Sequence, residues 1–123
     1  RAVEVNLRLL PTEDPSCKST KAMIDHVMHA SRGYVRWICS QLKLEEPQID
    51  RPSDLMTNYS DYSFYLESLL KVWSTALVSI TDEDCNLEFK FGDYTFCIDG
   101  MLEHAVTHPL RHSFQLEKMS VVR

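Results

Sequence analysis

Apolar residues return every third or fourth position through most of this 123-residue chain, which restricts it to helices that each bury one face. The clearest stripe is Tyr62, Tyr65, Leu66, Leu69, Trp73, Ala76, Leu77 and Ile80. It predicts a helix over about Ser60–Ile80 with that face inward. A second stripe, Met23, Val27, Ala30, Tyr34, Trp37, Ile38 and Leu42, predicts a long helix capped by Ser19 or Thr20 and running to about Leu44. A last helix is expected from about Phe96 to Met119. The stretch Arg1–Leu10 reads as the end of a first helix, closed by the breakers Pro11 and Pro15. Because the chain opens on Arg1 without an initiator Met, that first helix is expected to be incomplete. Glu45–Thr57, with Pro47 and Pro52, reads as a long connection, and Asp82–Asp84 ends the third helix. One segment breaks the helical period. Leu87-Glu-Phe-Lys-Phe91 alternates apolar and charged residues, and Gly92–Asp93 separates it from Tyr94–Thr95, so a short extended segment precedes the last helix. The expected fold is all-α, a single domain over residues 1–123, with the helices bundled and joined by one longer crossover connection.

Composition narrows the function classes. With 44% hydrophobic and 25% charged residues and only three Gly, the chain is globular in character. Thirteen basic against eighteen acidic residues leave a net charge of -5, which argues against nucleic acid or an anionic membrane as partner. No apolar run approaches the ~18 residues of a membrane span. Cys17, Cys39, Cys85 and Cys97 are scattered, show no CxxC spacing and follow no leader-like segment, so they read as reduced thiols of a cytoplasmic protein.

All five histidines fall in two short segments: His26 and His29 in one, His104, His108 and His112 in the other. A helix turns about 100° per residue, so each direction can be worked out. His26 lies about 70° from the centre of its helix's apolar stripe, and His29 about 130° away, toward solvent. On the last helix the apolar face lies about 90° round from His104; His112 at about 80° and His108 at about 40° share it, while His104 flanks it. Two imidazoles spaced i, i+4 can reach one metal ion, and a third from a facing helix completes a three-histidine site that leaves a position for water or substrate. His26, His108 and His112 form the natural triad. A buried histidine is also a common structural residue, and spacing alone leaves both readings open. Pro109 lies between the two ligands of the last helix and lacks the N–H that would bond the Ala105 carbonyl. A kink is expected there, either simply tolerated or aiming one ligand toward the bundle axis.

Two motifs resemble a known family. Asp25-His-Val-Met-His-Ala-Ser-Arg-Gly-Tyr-Val35 resembles the second-helix motif of the DinB/YfiT superfamily, in which a metal-binding histidine sits shortly before an aromatic residue. His104-Ala-Val-Thr-His-Pro-Leu-Arg-His-Ser-Phe-Gln115 resembles the last-helix motif of that family, HxxxH followed by Arg-Gly-Gln. Aligned on Gln115, the ligand pair falls on His108 and His112, and the first motif puts the third ligand on His26. Ser113-Phe114 stands where the family has Arg-Gly, a departure from the pattern.

The resemblance implies a DinB-like four-helix bundle, often a homodimer, holding a divalent metal (zinc or nickel) on three histidines. Characterised members include thiol-dependent transferases and an isomerase that use low-molecular-weight thiols such as mycothiol or bacillithiol. The expected activity is therefore a metal-dependent S-transferase or hydrolase acting on a small molecule, with Asp25, Glu103 and His104 as candidates for orienting the ligands. No general base is evident in the sequence. The competing expectation is a non-catalytic bundle for dimerisation or binding, with a structural metal or none.

Overall fold

A computed structural model describes residues 8–9 and 19–121 of the chain. Three long helices dominate it: α1 (Thr20–Gln41), α2 (Tyr59–Ser79) and α4 (Ile98–Met119), with a single-turn helix α3 (Asp82–Cys85) after α2. Two strands, β2 (Glu88–Phe91) and β3 (Tyr94–Cys97), form an antiparallel hairpin that leads straight into α4. The architecture is thus an all-α, four-helix arrangement with a hairpin before its last helix.

The helix boundaries have local causes. Ser19 Oγ accepts the Ala22 N–H at 2.9 Å, supplying one of the bonds that a first turn cannot make for itself. At the other end Lys43 takes a left-handed φ of 55° and the Leu44 N–H closes on the Cys39 carbonyl at 2.8 Å. That turn ends α1 at Gln41, ahead of the expected Leu44. Asn58 caps α2 on the Asp61 N–H at 2.9 Å. Thr81 and Asp84 exchange reciprocal bonds around the first turn of α3, so Asp82–Asp84 not only ends the third helix but begins another.

The expected first helix is corrected where it can be seen. Arg8–Leu9 is a strand, β1, pairing antiparallel with β4 (Ser120–Val121) beyond the end of α4. Its apolar run is equally compatible with a strand, and a pairing partner more than a hundred positions away decides it. The rest of Arg1–Leu10 lies outside the described residues, as does Cys17. Cys39, Cys85 and Cys97 are free thiols.

The core forms where α1 meets α4. Tyr34 and Ile38 pack with Ile98 and Met101, Trp37 of α1 packs beside them, and Phe89, Phe91 and Phe96 close over them from the hairpin. The Trp37 indole N–H donates to the Lys90 carbonyl at 3.0 Å, which pins the hairpin to α1. Gly92 has φ 60° in the two-residue loop between Phe91 and Tyr94, the left-handed geometry that favours glycine there. α2 packs on α1 through Ala76 with Val35 and Cys39. The expected buried face of α2 is only partly buried: Tyr62, Leu69 and Ala76 are, but Leu66 and Leu77 are 40% and 47% exposed. The long connection from α1 to α2 is held down at several points. Arg32 donates to the Ile49 carbonyl at 3.0 Å and Tyr65 to the Asp50 carbonyl at 2.8 Å, and the Tyr62 hydroxyl lies 3.1 Å from the Met56 carbonyl.

Candidate metal centre

α1 and α4 bring His26, His108 and His112 together. The Nε2 atoms of His26 and His108 are 3.1 Å apart, those of His108 and His112 3.2 Å apart, and all three residues offer a ligand atom within 4.8 Å of the others. α4 carries its two histidines one turn apart and runs as one helix through Pro109. His108 and His112 are 7% and 8% exposed, so both look inward, and His26 on α1 is half-buried opposite them. The rings stand nearly perpendicular, His26 to His112 at 85° and His108 to His112 at 84°, with centroids 4.9 and 4.6 Å apart. Three ring nitrogens therefore converge on one point.

The donor set itself tests whether a cation fits there. A neutral ring nitrogen either donates one proton or offers one lone pair. His108 Nε2 faces two other nitrogens, so one proton cannot satisfy both contacts. Three lone pairs directed at one ion would. With bonds of about 2.0–2.1 Å to a tetrahedral ion, ligand nitrogens lie about 3.3 Å apart, close to the separations seen. Burial keeps His108 in the neutral form that a metal requires: its value drops to about 4 from 6.5, with the neighbouring His112, His26, His104 and Arg111 pushing the same way.

The surroundings differ from the usual histidine–metal arrangement. A metal-bound imidazole normally passes its other N–H to a carboxylate or carbonyl. Among the described residues, the buried Nδ1 atoms of His108 and His112 have no hydrogen-bond partner, and the buried Gln115 Oε1 has no donor. Thus neither Asp25, Glu103 nor His104 takes up those two nitrogens. Asp25 instead accepts from Lys21 at 2.6 Å and from the Tyr62 hydroxyl at 2.8 Å, tying α1 to α2. Glu103 is exposed. His104 pairs with Tyr34: its Nε2 is 3.1 Å from the Tyr34 hydroxyl, and its ring lies 5.7 Å from that of His108. His29 is exposed on α1.

Sequence reasoning placed Tyr34 in the α1 stripe and, by resemblance, as the aromatic residue after His26, but gave it no contact with the other ligands. Its ring meets His108 edge-on at 89° and 5.6 Å, so it buttresses the imidazole while its hydroxyl holds His104. Burial raises that hydroxyl above its ordinary value, and the Arg111 guanidinium opposes the rise. The available signal was its place two turns after His26, but nothing in one helix says which residue of another it will face.

Compared with protein-family models, with curated proteins and with solved structures, the chain gives no match. Among the described residues no helix is long and apolar enough to cross a membrane. What stands is a cluster of three histidines, two buried and one half-buried, on two helices, able to coordinate a metal ion.

Proposed function

We propose that the chain is a metal-dependent enzyme of DinB/YfiT type, an S-transferase or hydrolase acting on a small molecule with a low-molecular-weight thiol. His26, His108 and His112 hold the divalent ion, zinc or nickel, and the protein works in the cytoplasm as a homodimer. The observation that carries this reading is the convergence of three Nε2 atoms, 3.1 and 3.2 Å apart, more than their own protons can satisfy. A divalent ion on three neutral imidazoles supplies Lewis acidity, lowering the proton affinity of a bound water or thiol. The residues of the chain have simpler tasks. α4 fixes two ligands one turn apart, α1 presents the third, and Tyr34 with His104 walls the His108 ring. Two observations favour the alternative, a non-catalytic bundle whose metal is structural or absent. Ser113 and Phe114 are both exposed where the family motif has Arg-Gly, and among the described residues no carboxylate partners the buried Nδ1 atoms as in tuned catalytic sites.

Metal analysis of untagged protein separates these questions. One equivalent of zinc or nickel is expected per chain, falling to background in His108→Ala. Unchanged metal in that variant removes the triad. A thiol-transfer assay with and without the ion then distinguishes enzyme from binding module. Absence of metal-dependent turnover across common thiols favours the module.

A further inference from the structure

Cys85 is the last residue of α3, and Cys97 the last of β3, immediately before α4. Backbone pairing brings these two ends together. The Leu87 N–H closes on the Asp84 carbonyl at 3.1 Å, so the chain turns directly after Cys85, with Asn86 still in the helical region. The Ile98 N–H then bonds the Leu87 carbonyl at 3.0 Å, and Glu88 stands directly opposite Cys97. Opposed residues of an antiparallel pair have Cα atoms about 4.5–5.5 Å apart. One turn of chain and one rung of the hairpin therefore separate the two cysteines, and α3 packs against α4. That arrangement permits the Cα separation of about 4.4–6.8 Å that a disulfide spans.

The two thiols differ from the third described cysteine in access. Cys39 is 2% exposed, whereas Cys85 and Cys97 are free and half-buried. Cys97 Sγ accepts the Gly100 N–H at 3.2 Å. A Cβ on residue 100 would lie 3.3 Å from that sulfur, so glycine keeps the approach to it open. Burial raises the Cys85 thiol above its ordinary value, and Asp99, Asp82, Asp84 and Cys97 act in the same direction. Asp99 lies in the first turn of α4, in keeping with where the backbone puts Cys85. A small oxidant thus meets Cys97 first, with Cys85 as the second thiol.

We propose that Cys85 and Cys97 are a redox-responsive pair that closes as a disulfide when the protein meets hydrogen peroxide. Peroxide oxidises the Cys97 thiolate to a sulfenic acid, and its O–O bond breaks with loss of one water. The Cys85 thiolate then attacks that sulfur; the S–S bond forms and the S–O bond breaks, releasing the second water. The two thiols give up two electrons and two protons, and the peroxide takes up both. The bond joins α3 to the start of α4 and constrains the unfolded chain around the hairpin. It lies about three turns before His108, so it is independent of the metal centre.

Peptide mass mapping of the full chain, with and without peroxide and with free thiols alkylated, tests this. The peptides carrying Cys85 and Cys97 are expected to appear joined and two hydrogens lighter, and to separate again with dithiothreitol. The urea midpoint of the oxidised wild type should rise above that of the reduced protein. In Cys85→Ser the midpoint does not rise, and dimedone traps Cys97 as a sulfenic acid that wild type does not accumulate. A wild type in which Cys97 is over-oxidised without the bond overturns the proposal. Linkage of either cysteine to Cys17 or to a second chain does the same, as does equal dimedone labelling of Cys97 in both proteins.

Discussion

Two demands on His108 run in the same direction. It sits buried among three other histidines, which disfavours its protonated form, and it must stay unprotonated to act as a ligand. The consequence for the metal-free protein has a definite sign. An unfolded histidine takes up its proton as pH falls through about 6.5, whereas folded His108 does so only at about 4. Between those values the unfolded chain binds more protons. Stability is therefore complete above about pH 6.5 and is lost progressively as pH falls toward 4. Urea titrations of the metal-free protein should give a lower midpoint at about pH 5 than at about pH 7, with the difference reduced in His108→Gln. A midpoint that does not move, or that moves equally in the variant, would show that His108 is not held neutral.

At the scale of elements, the hairpin and the metal helix are continuous but make separable contributions. β2 packs Phe89 and Phe91 on Trp37 and Tyr34, and the Ile98 N–H bonds the Leu87 carbonyl at 3.0 Å where β3 passes into α4. The ligands His108 and His112 lie about three and four turns further along. Gly92 allows a clean test because its φ is 60° and a Cβ there would meet no atom within 4 Å. The cost of Gly92→Ala is then backbone strain alone, about 1 kcal/mol. Denaturation should show that loss while metal content stays at the wild-type level. A loss of metal together with stability would mean that the hairpin sets the ligand geometry.

Much of this element structure was legible in the sequence. The stripes of α1 and α2 and the alternation of Leu87–Phe91 place helices and hairpin within a few residues of where they are. Residues whose state depends on distant partners were not legible. Arg8–Leu9 resembles a helix end until Ser120–Val121 pairs with it. Leu66 and Leu77 belong to the α2 stripe by spacing, yet among the described residues nothing covers them fully.

At the scale of the whole molecule, those two residues are part of a larger apolar surface. Phe64, Leu70 and Val78 of α2 and Val106, Leu110 and Phe114 of α4 are all at least half exposed. An apolar groove of about 390 Å³ runs between the helices, lined by Met28, Leu69, Leu70, Trp73, Leu102 and Val106 among others. Exposed apolar area of this kind marks an interaction surface, and it supports the proposed pairing of two copies. Sedimentation should give a dimer that Leu70→Lys with Val106→Lys converts to monomer, with metal content retained. A wild-type monomer at every concentration would remove the pairing.

By itself the sequence determined which residues could become ligands, because the period of a helix puts His108 and His112 on one face and His26 beside the apolar stripe of another. Those are local properties, set by 3.6 residues per turn. Tertiary structure alone decided that the three nitrogens meet within 4.8 Å, that His104 turns to Tyr34, and that Asp25 is taken by Lys21 and Tyr62. Each depends on how α1 sits against its neighbours, and no period within one helix encodes the rotation of another.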